Sequence, residues 1–161
     1  MRERVLHFRI EDEQGKVSSH GGMTVAIVPI TDPPDGYRSP MVGIGVAVCH
    51  PKDSFTRKRG REIAVGRANV GWFRRPDDPR SVAFYPEELS DPLVDTLLCC
   101  SAEAASPTAA QLCCGAGSAS WALQRAVWVG SAGEWPFGVV IRKVRGTVLA
   151  VIEQLRKEHA A

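Results

Sequence analysis

Apolar residues come in short blocks through the first half of the chain and return at helical spacing near its end. Val5-Leu6-His7-Phe8-Arg9-Ile10 reads as a short strand, and the polar run Glu11–Lys16 as the turn after it. Met23–Ile30 is a second strand, rich in β-formers and entered through Gly21-Gly22. Asp32-Pro33-Pro34-Asp35-Gly36 predicts a loop, because proline lacks a ladder donor and Asp-Gly favours turns. Met41–Cys49 is apolar at almost every position, the pattern of a strand covered on both faces and hence central. Residues 23–49 therefore predict a hairpin with a long tip.

His50-Pro51-Lys52-Asp53-Ser54 is expected to close that strand, with Asp53 or Ser54 capping a helix from about Phe55 to Asn69. Ala64 and Ala68 give this helix a small-residue face. Gly60 and Gly66 weaken it by roughly 1 kcal/mol each relative to Ala unless a close neighbour requires them. Ser81–Tyr85 predicts another strand, and Pro86 opens a helical region to about Cys100 with Leu89, Leu93, Leu97 and Leu98 on one stripe. Residues 101–120 are rich in Ala, Ser and Gly, and both a small-residue helix pair and a mobile connection fit them. Trp121–Val129 suits helix or strand. Phe137–Val144 reads as a strand, and Thr147–His159 as a terminal helix whose Val148, Val151, Ile152 and Leu155 share a face. The pattern predicts an α+β fold: an antiparallel sheet, a basic helix following the central strand, and a C-terminal helix. A length of 161 residues suits one domain, 1–161, with 99–120 as its least regular part.

Composition changes this picture little, since 44% hydrophobic and 24% charged residues are ordinary for a folded chain. Charge placement changes it more. Between residues 52 and 75, Lys52, Arg57, Lys58, Arg59, Arg61, Arg67, Arg74 and Arg75 face only Asp53 and Glu62. The whole chain carries only +2, so this window is a local cationic excess that suggests an anionic partner. No apolar run reaches the roughly 20 residues of a membrane span, and the charged start Met1-Arg2-Glu3-Arg4 does not resemble a secretory signal. A cytoplasmic location without membrane association is the expectation.

The five cysteines are Cys49 and the doublets Cys99-Cys100 and Cys113-Cys114. Neighbouring residues point in different directions, so doublets make poor metal geometry, and small buried residues are the expectation. The sequence shows no Ser/His/Asp motif, P-loop, dinucleotide fingerprint or paired carboxylates, so no catalytic residue, metal or cofactor is expected. His50 beside Cys49 does not make a nucleophile–base pair, because adjacent strand residues face opposite ways.

The chemistry concentrates in Val46–Ala68, where a strand feeds a helix whose first turns are strongly basic. A helix start carries free N–H groups at the positive end of its dipole and attracts anions. Arg57 and Arg61, four apart, project from one face, where guanidinium forks can grip phosphate, and Lys52 adds a point charge. A solvated charged face is the competing reading. A second basic group, Arg142-Lys143-Val144-Arg145, follows Trp128, Trp135 and Phe137. Arginine with an aromatic suits a nucleotide, so Phe84, Phe137, Arg142 and Arg145 join the candidates on chemical grounds, although such aromatics are more often core.

Ala47-Val48-Cys49-His50-Pro51-Lys52-Asp53-Ser54-Phe55, then Arg57-Lys58-x-Gly60-Arg61-x-Ile63-Ala64-x-Gly66-Arg67, resembles a signature of small phage-encoded proteins, the first Thoeris anti-defence family. These are sponges for cyclic ADP-ribose signals, and the similar stretch covers about residues 45–68. The resemblance implies a non-enzymatic, homo-oligomeric α+β protein that captures a cyclic nucleotide, with Arg57, Arg61 and Arg67 on its phosphates and an aromatic on its adenine. Two other functions compete. A nucleic-acid-binding accessory protein would use the same basic helix on a sugar–phosphate backbone. A phosphoesterase ranks last for want of a nucleophile or base.

Overall fold

The computed structural model describes residues 2–11, 14–78, 80–88 and 136–160, with the backbone alone at 51, 136–143 and 145. Among the described residues, four strands form one antiparallel sheet: β1 (Arg4–Glu11), β2 (Val17–Ile30), β3 (Met41–Ser54) and β4 (Ser81–Phe84), lying side by side in chain order. The basic helix α1 (Arg57–Gly66) follows β3, one of the two interior strands. It continues through a π-helical turn, Arg67–Gly71, into the short α2 (Trp72–Arg74). Pro86–Glu88 is a single 3₁₀ turn, and α3 (Pro136–Ala160) ends the chain. The fold is α+β.

Alternation along the strands gives the sheet two unlike faces. Met23, Val25 and Ile27 of β2, Val42, Ile44 and Val46 of β3, and Phe84 of β4 point to one side. There they meet Val144, Val148, Ile152 and Leu155 of α3, and all eleven of these residues are buried. Branched and large apolar side chains fill the space between the sheet and α3. The other side carries Ala26, Val28 and Ala47 against Ala64 and Ala68 of the helix. Small residues on both partners let α1 lie almost on the sheet. A Cβ added at Gly43 or Gly45 would overlap the carbonyl oxygens of Ala68 and Ala64, and one at Gly60 would overlap the Thr24 hydroxyl. Gly60 thus has the close neighbour that justifies it, whereas Gly66 has open space.

Three expectations change. Residues 50–54 do not end β3 and cap α1. Pairing shifts from Gly22↔Cys49 to His20↔Ser54, so β3 carries a bulge and then resumes, and the N–H of Phe55 donates to the Ser19 carbonyl at 2.9 Å. Pairing with β2 thus holds Ser54 and Phe55 in extended backbone, and the cap position falls to Thr56. Second, the helix runs past Asn69 to Arg74 because a π turn absorbs the change of phase. Third, residues 137–144 belong to α3 rather than a strand. Their β-branched run favours a strand only locally, and the helical repeat packed at Val144, Val148, Ile152 and Leu155 overrides it. The helical expectation for 89–100, the cysteine doublets, residues 101–120 and Trp121–Val129 lie outside the described residues. Among the described residues no helix is long and apolar enough to cross a membrane.

Candidate functional site

The β3 bulge and the start of α1 leave a hollow between them. It measures about 200 Å³ and is half open, with walls from Thr24, Cys49, Phe55, Thr56, Arg59 and Ile63 among others. The bulge folds back on Cys49, whose Sγ lies 3.4 Å from the Asp53 carbonyl and 3.5 Å from that of Ser54. The Lys52 N–H donates to Nδ1 of His50 at 3.1 Å. Burial pushes the Cys49 thiol up, and Asp53 adds to this against the opposing Gly21 amide and Arg9 charge. A raised thiol pKa lowers the share of thiolate, the nucleophilic form.

Phe55 makes one wall because three groups fix its ring. It lies over Gly22, whose φ of +143° suits glycine and whose missing Cβ would stand 2.8 Å from the ring. The Arg9 guanidinium sits 4.9 Å from the ring centroid, itself anchored by two hydrogen bonds to the Ser18 carbonyl. The His7 ring meets Phe55 edge-on at 6.1 Å. Nδ1 of His7 is 2.9 Å from Oγ1 of the buried Thr24, on which Gly60 rests. His7 is thereby pulled out of water, and burial, then Arg57, then Arg61 lower its pKa.

The helix opens with Arg57, Lys58 and Arg59, without an acidic residue in its first turn. Thr56 has the extended backbone of a cap residue, φ −127° and ψ 115°, yet its side chain makes no capping bond. Cations here oppose the helix dipole by about 0.3–1 kcal/mol each when exposed. An anion at this end would relieve that repulsion and take up amides that α1 leaves free.

The structure divides the sequence-predicted residues rather than gathering them. Arg57 and Arg61 share the flank toward β1, where Arg61 pairs with Glu3 at 2.5 Å and both act on His7. Arg67 occupies the other flank, half-buried, donating to the Val46 carbonyl at 2.5 Å. Lys52 is exposed on the bulge. Phe84 is buried on the α3 face of the sheet, away from α1, and is a core residue. The side chains of Phe137, Arg142 and Arg145 lie outside the described residues, as do Trp128 and Trp135. None of the described candidates lines the hollow; Arg59 is the cation that does. Sequence reasoning missed Arg59, Phe55, Thr24 and His7. Strand parity puts His7 and Arg9 on one face, but only the pairing of β1 with β2 brings His7 opposite Thr24.

Comparison with protein-family models, with curated proteins and with solved structures gives no match.

Proposed function

We propose that this chain binds a small phosphorylated nucleotide of the cyclic ADP-ribose type at the amino end of α1 and holds it without turnover. The observation that carries the reading is an uncapped helix start, bearing three consecutive cations and no acid, that opens on a hollow. Free amides supply directed donors, and Arg59 on the rim supplies charge. A volume of about 200 Å³ is below the roughly 300 Å³ at which ligand pockets usually begin. The hollow therefore takes part of such a ligand, and the remainder lies across the exposed Arg57, Lys58 and Lys52. The reading is sequestration rather than cleavage because the sequence shows no nucleophile–base motif or paired carboxylates. The resemblance of residues 45–68 to the cyclic ADP-ribose sponges supports the same reading. With it comes the proposal of a homo-oligomer acting against a cytoplasmic immune signal.

Isothermal titration with cyclic ADP-ribose isomers, followed by mass spectrometry of the recovered ligand, tests this. The expected result is saturable, sub-micromolar binding of an intact nucleotide that Arg59→Ala weakens. No saturable heat with any isomer would end the proposal. The exposure of Lys52, Arg57, Lys58 and Arg59 also favours a second reading, in which these cations lie on a nucleic-acid backbone. Log affinity for DNA or RNA would then fall linearly with log salt, by about one unit per contacted phosphate.

A further inference from the structure

Exposed aromatic side chains gather where the helical run after β3 ends. Tyr37, from the loop between β2 and β3, meets Trp72 of α2 edge-to-face, with ring centroids 5.3 Å apart and planes at 86°. Phe73 adds a third ring, 5.8 Å from that of Trp72. Tyr37 is 45% exposed and Phe73 50%, and Val70 of the preceding turn is 41% exposed. Single apolar residues in water are common, but rings in mutual contact that stay in water mark a surface made to be covered. The indole N–H of Trp72 donates to the Asn69 carbonyl at 3.1 Å, so its polar group is already satisfied within the helical run. What Trp72 and Phe73 offer a partner is ring surface.

Charge selects the partner. Arg74 and Arg75 follow Phe73 directly, both exposed and neither in an ion pair among the described residues. From Arg57 to Arg75 the only acid is Glu62, and its carboxylate lies 4.0 Å from Arg59. Asp35 and Asp77 flank the rings in sequence and are exposed, so the cationic excess belongs to the helical run as a whole and not to its last turn. Arg38 adds nothing to it, being stacked on Tyr85 at 4.0 Å and paired with Glu87. Aromatic rings at one end of a cationic ridge match a strand whose bases stack and whose phosphates follow the charge.

The geometry points to Tyr37, Trp72 and Phe73 as a stacking platform for the bases of a single nucleic-acid strand. A duplex keeps its base faces stacked on one another, so the rings require an unpaired strand. At about 1.5 Å per helical residue, Phe73 stands roughly 25 Å from Arg57, so a nucleotide held at the start of α1 does not reach the platform. The inference rests on the second functional reading, a nucleic-acid backbone along the cations, and adds to it the place where bases are taken.

The test is fluorescence anisotropy of end-labelled oligothymidylate and oligouridylate of about 12 nucleotides with the full chain. Saturable binding of at least one is expected. Phe73→Leu keeps an apolar side chain but removes the ring, and should weaken binding about tenfold, the loss of one stacked base. Phe73→Trp should bind at least as tightly as the natural chain. An abasic strand of the same length should bind the natural chain and Phe73→Leu alike, since it carries phosphates without bases. Melting temperatures check that both variants remain folded. Binding of neither oligonucleotide overturns the proposal together with the second reading. Equal affinity of Phe73→Leu and the natural chain overturns the platform and leaves the strand on the cations alone. Self-association in sedimentation, or binding to anionic vesicles, that Phe73→Leu abolishes while strand binding is unmoved would give the rings to a second copy or a membrane and overturn it too.

Discussion

Gly45 of β3 lies directly beneath Ala64 of α1, so close that any side chain at 45 would occupy the space of the Ala64 carbonyl oxygen. This contact sets the height of α1 above the sheet and thus the depth of the hollow at its amino end. Gly45→Ala should cost about 1–3 kcal/mol through overpacking, more if backbone must move. Gly66→Ala, in the same helix with open space around it, should instead stabilise by about 0.5–1 kcal/mol. Urea midpoints of the two variants, at unchanged slope, measure both. Destabilisation by Gly66→Ala, or none by Gly45→Ala, would contradict the packing described.

Phe84 is 4% exposed and packs in the larger core with Val42, its partner across the β3–β4 pair. Phe84→Ala should therefore cost about 3–5 kcal/mol, while Phe84→Leu should be tolerated. Neither should change anion affinity in the fraction that remains folded. A large loss of affinity with unchanged stability in Phe84→Leu would return this ring to the binding site.

The sheet is largely legible in the sequence because burial on both faces leaves its mark on Met23–Ile30 and Met41–Cys49. The helix start is less legible. Asp53 and Ser54 are good cap residues, but β2 offers backbone partners to this stretch, and pairing between distant segments does not show in local chemistry. The four-residue spacing of Arg57 and Arg61 does put them together on one flank. Which flank faces the hollow depends on how Ala64 and Ala68 seat on Gly45 and Gly43. Arg59 comes to the rim, and Arg67 goes to the opposite side of the helix from Arg61, for this reason. Residues 137–144 mislead in another way, since Val139-Val140-Ile141 has strand composition inside a helix fixed by packing further along.

His7 links the site to pH. Its native pKa is lowered from 6.5 by burial and then by Arg57 and Arg61, so the unfolded chain takes up a proton more readily than the folded one. Stability is then fully present above the ordinary histidine range and is lost as pH falls through 6.5 toward the lower native value. Urea midpoints measured from roughly pH 8 down to pH 5 should decline, and His7→Asn should flatten that decline. A bound anion beside Arg57 and Arg61 should raise the His7 pKa, readable from its ring proton shifts. An unchanged titration with saturating ligand would separate His7 from the anion.

Thr56 offers the sharpest test of the binding proposal, because stability and affinity should respond to it in opposite directions. It holds the cap position with a suitable backbone but gives no side-chain bond to the amides ahead of it. Thr56→Asp supplies a carboxylate that accepts from those amides and opposes the charge of Arg57, Lys58 and Arg59, and should stabilise by about 0.5–1 kcal/mol. The same carboxylate occupies the donors assigned to the phosphate and repels it, so affinity should fall about tenfold or more, since a charge-assisted hydrogen bond is lost. Thr56→Asn caps without charge and should show a similar gain in stability with a smaller loss of binding, which separates competition for the amides from repulsion. If Thr56→Asp is more stable and binds as tightly as before, the cap forms while the anion sits elsewhere. The start of α1 would then be only a solvated basic end that tolerates its own repulsion.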